Sequence, residues 1–185
     1  MSERTFQTTK ELFDTYYKAE KVPYHNRRGY RMRYIYTGPW YYYGQGDNIL
    51  RTTKIRMAAF FVSSVLCYLA AALRHAYVNY DRYVSLFGTL ALAAVVFELV
   101  GVVQFLFIRE KTTIINYRDV DMKLRIAPLM YAALMLLTFL MALRYLLISD
   151  GAGSAYVIPV MYFLSGVLAV AVYLTYRWIP VTHDG

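Results

Sequence analysis

The sequence predicts an all-α membrane protein with four transmembrane helices. Of its 185 residues, 58% are apolar and only 17% charged, whereas soluble domains are nearer half apolar and a quarter charged. The charges collect in blocks, with long uncharged runs between them. Four of these runs approach or exceed the ~20 residues that carry a helix across a ~30 Å hydrocarbon core. In lipid every backbone N–H and C=O must be paired internally, so such runs read as spanning helices.

Residues 1–53 come first as a basic, tyrosine-rich segment. Thr8 and Glu11 have capping-box spacing, which predicts a short helix from Thr8 to Lys18 with Leu12, Phe13, Tyr16 and Tyr17 on one face. A basic stretch with Arg27, Arg28, Arg31 and Arg33 follows. From Tyr30 the pattern alternates, placing Met32, Tyr34 and Tyr36 opposite the arginines. Thr37-Gly38-Pro39 signals a turn before Trp40, Tyr41, Tyr42 and Tyr43, so a small interfacial hairpin fits.

The four-helix domain covers residues 54–177, with spans expected at 57–77, 83–108, 126–148 and 155–176. The first apolar run begins only at Met57 and is expected to act as an uncleaved anchor rather than a signal peptide. Pro128 and Pro159 are expected in the first turns of the third and fourth spans, where their missing N–H does no harm. Gly151-Ala152-Gly153-Ser154 reads as a turn. Residues 178–185 form a short tail.

Lys54-Ile55-Arg56-Met57-Ala58 resembles Lys123-Leu124-Arg125-Ile126-Ala127, and Ala72-Leu73-Arg74 recurs as Ala142-Leu143-Arg144. The spacing raises the prospect of two tandem helical hairpins. Within membranes, helices approach through small residues. Ala59, Ser63, Cys67 and Ala71 make one such strip, Gly88, Ala91, Ala94 and Gly101 a second, and Gly166 with Ala169 a third.

Of the 20 lysines and arginines, 17 lie before, between or after the two expected helical hairpins. The positive-inside rule therefore places both termini in the cytoplasm and the protein in the cell membrane. Arg74 and Arg144, at the opposite ends, are expected to snorkel to the headgroups.

Glu98 is the one carboxylate deep in an apolar run. It lies about 15 Å in from Ile108 at the helical rise. A similar depth count places Cys67, Tyr68, Thr138 and Ser165 near its level. Burial disfavours the charge of a carboxylate, and an acid within a span is either paired or functional. Glu98 is thus the candidate for an ion, proton or substrate site, with those four residues around it.

The basic-aromatic residues point elsewhere. Tyrosine and tryptophan favour the headgroup layer, and arginine favours anionic lipid. Arg27, Arg28, Arg31, Arg33, Tyr34, Tyr36, Trp40, Tyr41, Tyr42 and Tyr43 are expected to contact lipid or a protein partner. No RNP-type or GxxG pattern supports nucleic-acid binding. HExxH, P-loop and G-x-S-x-G motifs are missing, and His25, His75 and His183 are scattered. Asp119 and Asp121 read as a solvated charge cluster. The expectation is a non-enzymatic membrane subunit or scaffold, without metal or cofactor, that is a homo-oligomer or part of a complex. The alternative is a small proton- or cation-coupled transporter or channel using Glu98.

Overall fold

The computed structural model describes residues 8–25, 29–44, 46–109, 111–149 and 153–184. Its core is four helices long and apolar enough to cross a membrane: α2 (Asp47–Ala72), α3 (Arg82–Phe107), α4 (Ile114–Ile148) and α5 (Val157–Arg177). The chain is in this sense a multi-pass membrane protein. Ahead of them lie helix α1 (Thr9–Tyr16) and strands β1 (Tyr17–Pro23), β2 (Tyr30–Tyr36) and β3 (Trp40–Tyr43), and strands β4 (Lys111–Thr113) and β5 (Val181–His183) complete the fold.

Two helix starts differ from the sequence expectation. The first spanning helix begins at Asp47 and ends at Ala72, and the third begins at Ile114 rather than Ile126. Loss of hydrophobicity marks where lipid ends, not where hydrogen bonding ends. Thr113 caps α4 by accepting from the Asn116 N–H. The ion pairs Asp119–Lys123 (2.6 Å) and Asp121–Arg125 (2.8 Å), each four residues apart, support its polar turns. Pro128 consequently lies inside α4 and not in its first turn, where its ring forgoes the bond to the Leu124 carbonyl. Pro159 does sit in the first turn of α5.

The N-terminal segment is also rearranged. The capping box at Thr8 and Glu11 forms, with the Thr8 N–H donating to Glu11 Oε2 at 2.6 Å. The helix stops at Tyr16, and Tyr17 and Lys18 begin a strand instead. The hairpin forms between β1 and β2, with Tyr17 opposite Tyr36 and Pro23 opposite Tyr30. Trp40–Tyr43 does not pair with β2. It becomes the middle strand of a second antiparallel sheet, ordered β4-β3-β5. Thr37-Gly38-Pro39 therefore links two sheets and closes no hairpin.

That second sheet constrains the topology. It joins the segment before α2, the link between α3 and α4, and the tail after α5. All three therefore lie at one end of the bundle, the end rich in lysine and arginine.

In the bundle α3 packs along α4, α4 along α5 and α5 along α2, while the α2/α3 seam is the loosest. The two sequential pairs, α2/α3 and α4/α5, are thus unlike. Small residues explain the tight seams. A Cβ on Gly101 would lie 3.0 Å from Lys123 Cβ and 3.1 Å from Leu124 Cδ2, so α3 and α4 meet there only because the side chain is hydrogen. The α3 strip of Gly88, Ala91, Ala94 and Gly101 is buried, as are Gly166 and Ala169. The expected α2 strip is not: Ala59 and Ser63 are exposed, Cys67 is half-buried, and only Ala71 is enclosed. The buried face of α2 is Met57, Phe61, Ser64, Tyr68 and Ala71.

Candidate functional site

Glu98 projects from α3 into protein, with 0% of its surface exposed. One turn before it, Ala94 belongs to one apolar cluster with Ala91 and Tyr131. One turn after it, Val102 belongs to another with Phe61, Phe105 and Leu124. The carboxyl therefore sits where two apolar clusters meet, and neither of its oxygens has a hydrogen-bond partner.

Along α3 it lies ten residues, or about 15 Å, from Ile108. Gly101 meets Lys123, so Glu98, three residues further in, lies only about 4.5 Å beyond the level of that lysine. Arg125 and Arg144 on α4 are separated by about 28 Å along the helix, close to the ~30 Å hydrocarbon thickness. Glu98 is level with the start of the apolar stretch of α4.

The polar residues expected around it divide. Ser165 forms a buried node with Ser64 and Tyr131. Ser64 Oγ donates to the Ser165 carbonyl and Ser165 Oγ to the Ser64 carbonyl, both at 2.8 Å. Both serine protons are then used, so Tyr131 donates to Ser165 Oγ across 2.6 Å. Tyr68 instead donates to the Gly88 carbonyl at 3.0 Å, about 15 Å along α3 from Glu98. Thr138 bonds the Leu134 carbonyl of its own helix. Neither joins the node, and Cys67 is half-buried.

Ser64, Tyr131 and Asn79 were not singled out by the sequence. Asn79 donates to the carbonyls of Ala71 and Arg74 at 2.9 Å each, and accepts from the Tyr162 hydroxyl at 3.0 Å. It closes the end of α2 and ties it to α5. Ser64 is one position from Ser63 of the strip, and Tyr131 lies within the third span. A tally of hydroxyls inside the spans would have found both.

At the basic end an aromatic chain connects the pieces. Phe13 stacks on Tyr17 at 4.6 Å, Tyr17 meets Tyr36, and Tyr36 meets Trp40 edge-on at 5.1 Å. Tyr41 stacks between Tyr117 and His183, and Tyr43 packs on Phe105. Tyr36, Trp40, Tyr41 and Tyr42 are half-buried and Tyr43 is buried, so these five are chiefly construction. Burial raises the Tyr36 phenol, partly offset by the Ile114 N–H that donates to it, and burial raises Tyr43 as well. The neighbouring Asp184 carboxylate raises Tyr42.

Arg31, Arg33 and Tyr34, with Tyr30 and Met32, remain exposed on the hairpin. Arg27 and Arg28 lie outside the described residues. Asp119 and Asp121 are ion-paired and half-buried rather than free in solvent. Gln104 bridges Asp119 and Lys123 at 3.0 Å to each, and Tyr176 donates to Asp121 at 3.2 Å.

A groove of about 860 Å³ opens between the basic ends of α2 and α3, lined by Arg51, Lys54, Arg109 and Lys111 with Leu50, Leu106 and Phe107. Lys54 reaches across the seam to the Leu106 and Ile108 carbonyls, where a cation complements the negative end of α3. Among the described residues no group of His, Cys, Asp or Glu side chains has the arrangement of a metal site. The chain matches no family model, no curated protein and no solved structure.

Proposed function

We propose that the protein is a non-enzymatic multi-pass membrane scaffold, with both termini in the cytoplasm of a cell, whose basic end binds anionic lipid headgroups. The observation that carries this reading is the gathering of exposed Lys18, Lys21, Arg31 and Arg33 on the hairpin at the same end as Arg51, Arg109 and Lys111. Each basic side chain near an anionic surface contributes about 1 kcal/mol of attraction. The interleaved tyrosines suit the headgroup layer. The scaffold acts as a homo-oligomer or as a subunit of a larger assembly.

The test is trypsin cleavage at the hairpin, with the full chain in nanodiscs. Phosphatidylserine discs protect it relative to phosphatidylcholine discs, and high salt removes the protection. Equal cleavage in both discs overturns the reading.

The second reading, a small proton- or cation-coupled transporter or channel, draws on the orphaned Glu98 carboxyl. It requires a water path to a side chain that is 0% exposed in the single chain, hence one made between subunits. Proteoliposome flux abolished by Glu98→Gln supports transport, whereas no flux above empty vesicles supports the scaffold.

A further inference from the structure

The groove between α2 and α3 combines three properties. It is cationic, its lower wall is apolar, and it lies on the one loosely packed seam of the bundle. Among the described residues no carboxylate lines it. Glu110, between Arg109 and Lys111 in sequence, lies outside them.

A second groove, on the other side of the α3–β4 link, contains about 520 Å³ and includes Asp119, so its charge is mixed and it does not select an anion. The α2/α3 groove falls within the ~300–1,000 Å³ typical of small-ligand sites.

We infer that this groove holds one anionic phospholipid, its phosphate among Arg51, Lys54, Arg109 and Lys111 and its acyl chains against Leu106, Phe107 and the open seam. The inference deepens the proposed function and takes the membrane setting from it. Guanidinium forks match phosphate oxygens in pairs, and Arg51 and Arg109 come from different helix ends, so one phosphate bridges the two. Lys54 commits donors to the α3 carbonyls and has one of its three protons left for the ligand. Lys111 is steadied over the Trp40 ring, 4.9 Å from its centre.

The occupant is a lipid rather than a free phosphate because the groove's apolar wall continues into helix surface that faces hydrocarbon. Phe107, at its mouth, is 84% exposed, a large ring left uncovered within this chain. An acyl chain covers it, and an inorganic anion leaves it bare.

The experiment is native mass spectrometry of the delipidated full chain, titrated with phosphatidylglycerol or with phosphatidylcholine of the same acyl chains. One phosphatidylglycerol is retained, and phosphatidylcholine binds at least roughly tenfold more weakly. The paired change Arg51→Ala with Arg109→Ala weakens phosphatidylglycerol roughly thirtyfold. The pair Arg74→Ala with Arg82→Ala, at the opposite end of the bundle, leaves it unchanged. Inorganic phosphate does not displace it.

Lys54 is kept because it caps α3. A melting curve checks folding, and if the alanine pair does not fold, the single changes Arg109→Gln and Lys111→Gln decide. Equal retention of phosphatidylcholine, equal loss in the Arg74/Arg82 pair, or displacement by inorganic phosphate overturns the site. If the groove variants bind normally while phosphatidylserine still protects the hairpin from trypsin, the groove is wrong and surface docking stands. If neither effect is seen, both fall.

Discussion

Replacing Glu98 by methionine stabilises the protein. The side chain is fully enclosed, and both carboxyl oxygens lack a hydrogen-bond partner. Leaving a buried polar group unsatisfied costs about 1–3 kcal/mol. Methionine is unbranched, similar in length and adaptable in packing, so it fills the site with little strain. The expected gain is therefore about 1–3 kcal/mol. For a chain of this size each kcal/mol moves the melting temperature by about 3 °C. Glu98→Gln keeps a polar head in the same place and gains close to nothing. The assay is thermal unfolding in detergent, repeated by steric trapping in bicelles. A loss of stability in Glu98→Met with retention in Glu98→Gln refutes the reasoning, because it means the carboxyl has a partner in the assembled protein.

Tyr131→Phe removes the donor to Ser165 and costs about 0.6 kcal/mol, the average for hydrogen bonds between spanning helices, measured by the same unfolding assays. Asn79→Leu loses the contacts to Ala71, Arg74 and Tyr162 and costs about 1–3 kcal/mol, which appears as a lowered melting temperature. Gly101→Val drives a branched side chain into Lys123 and Leu124 and costs about 1–3 kcal/mol by overpacking. It also separates α3 from α4, which a cysteine cross-link between the two helices reports. Alkaline pH acts through Tyr43. Its folded phenol titrates above the unfolded value of about 10, so its contribution is complete below pH ~10 and is lost as pH rises towards the folded value. In a pH series of melting curves, Tyr43→Phe shows a shallower alkaline decline than the unmodified chain.

Legibility in the sequence followed the physics of each signal. The second span was readable almost to the residue because the apolar run and the helix end together at Asp81 and Ile108. The third was misplaced at its start because i to i+4 charge pairs let α4 continue through a polar stretch. Proline at 128 looked like a helix start for the same reason. Small residues located the α3 seam, where Gly101 must admit Lys123, but failed on α2, which buries Phe61 and Tyr68 instead.

The hairpin existed, but its pairing depended on β1, a stretch whose charged Lys18, Glu20 and Lys21 carry no strand signal. Trp40–Tyr43 found its partners in the distant segments 111–113 and 181–183, and no local pattern encodes such a pairing. Glu98 was legible as an enclosed acid. The cationic groove brings residues 51, 54, 109 and 111 together only through tertiary packing.

The central structural claim is that residues before α2, between α3 and α4 and after α5 share one end of a four-span bundle. Cysteine accessibility tests it most directly. In a Cys67→Ser background, Arg33→Cys, Asp184→Cys and His75→Cys are each exposed to a membrane-impermeant maleimide, first in intact cells and then in inside-out vesicles. The account predicts that positions 33 and 184 react only in the vesicles and position 75 only in the cells. Reaction of positions 33 and 75 from the same side contradicts it.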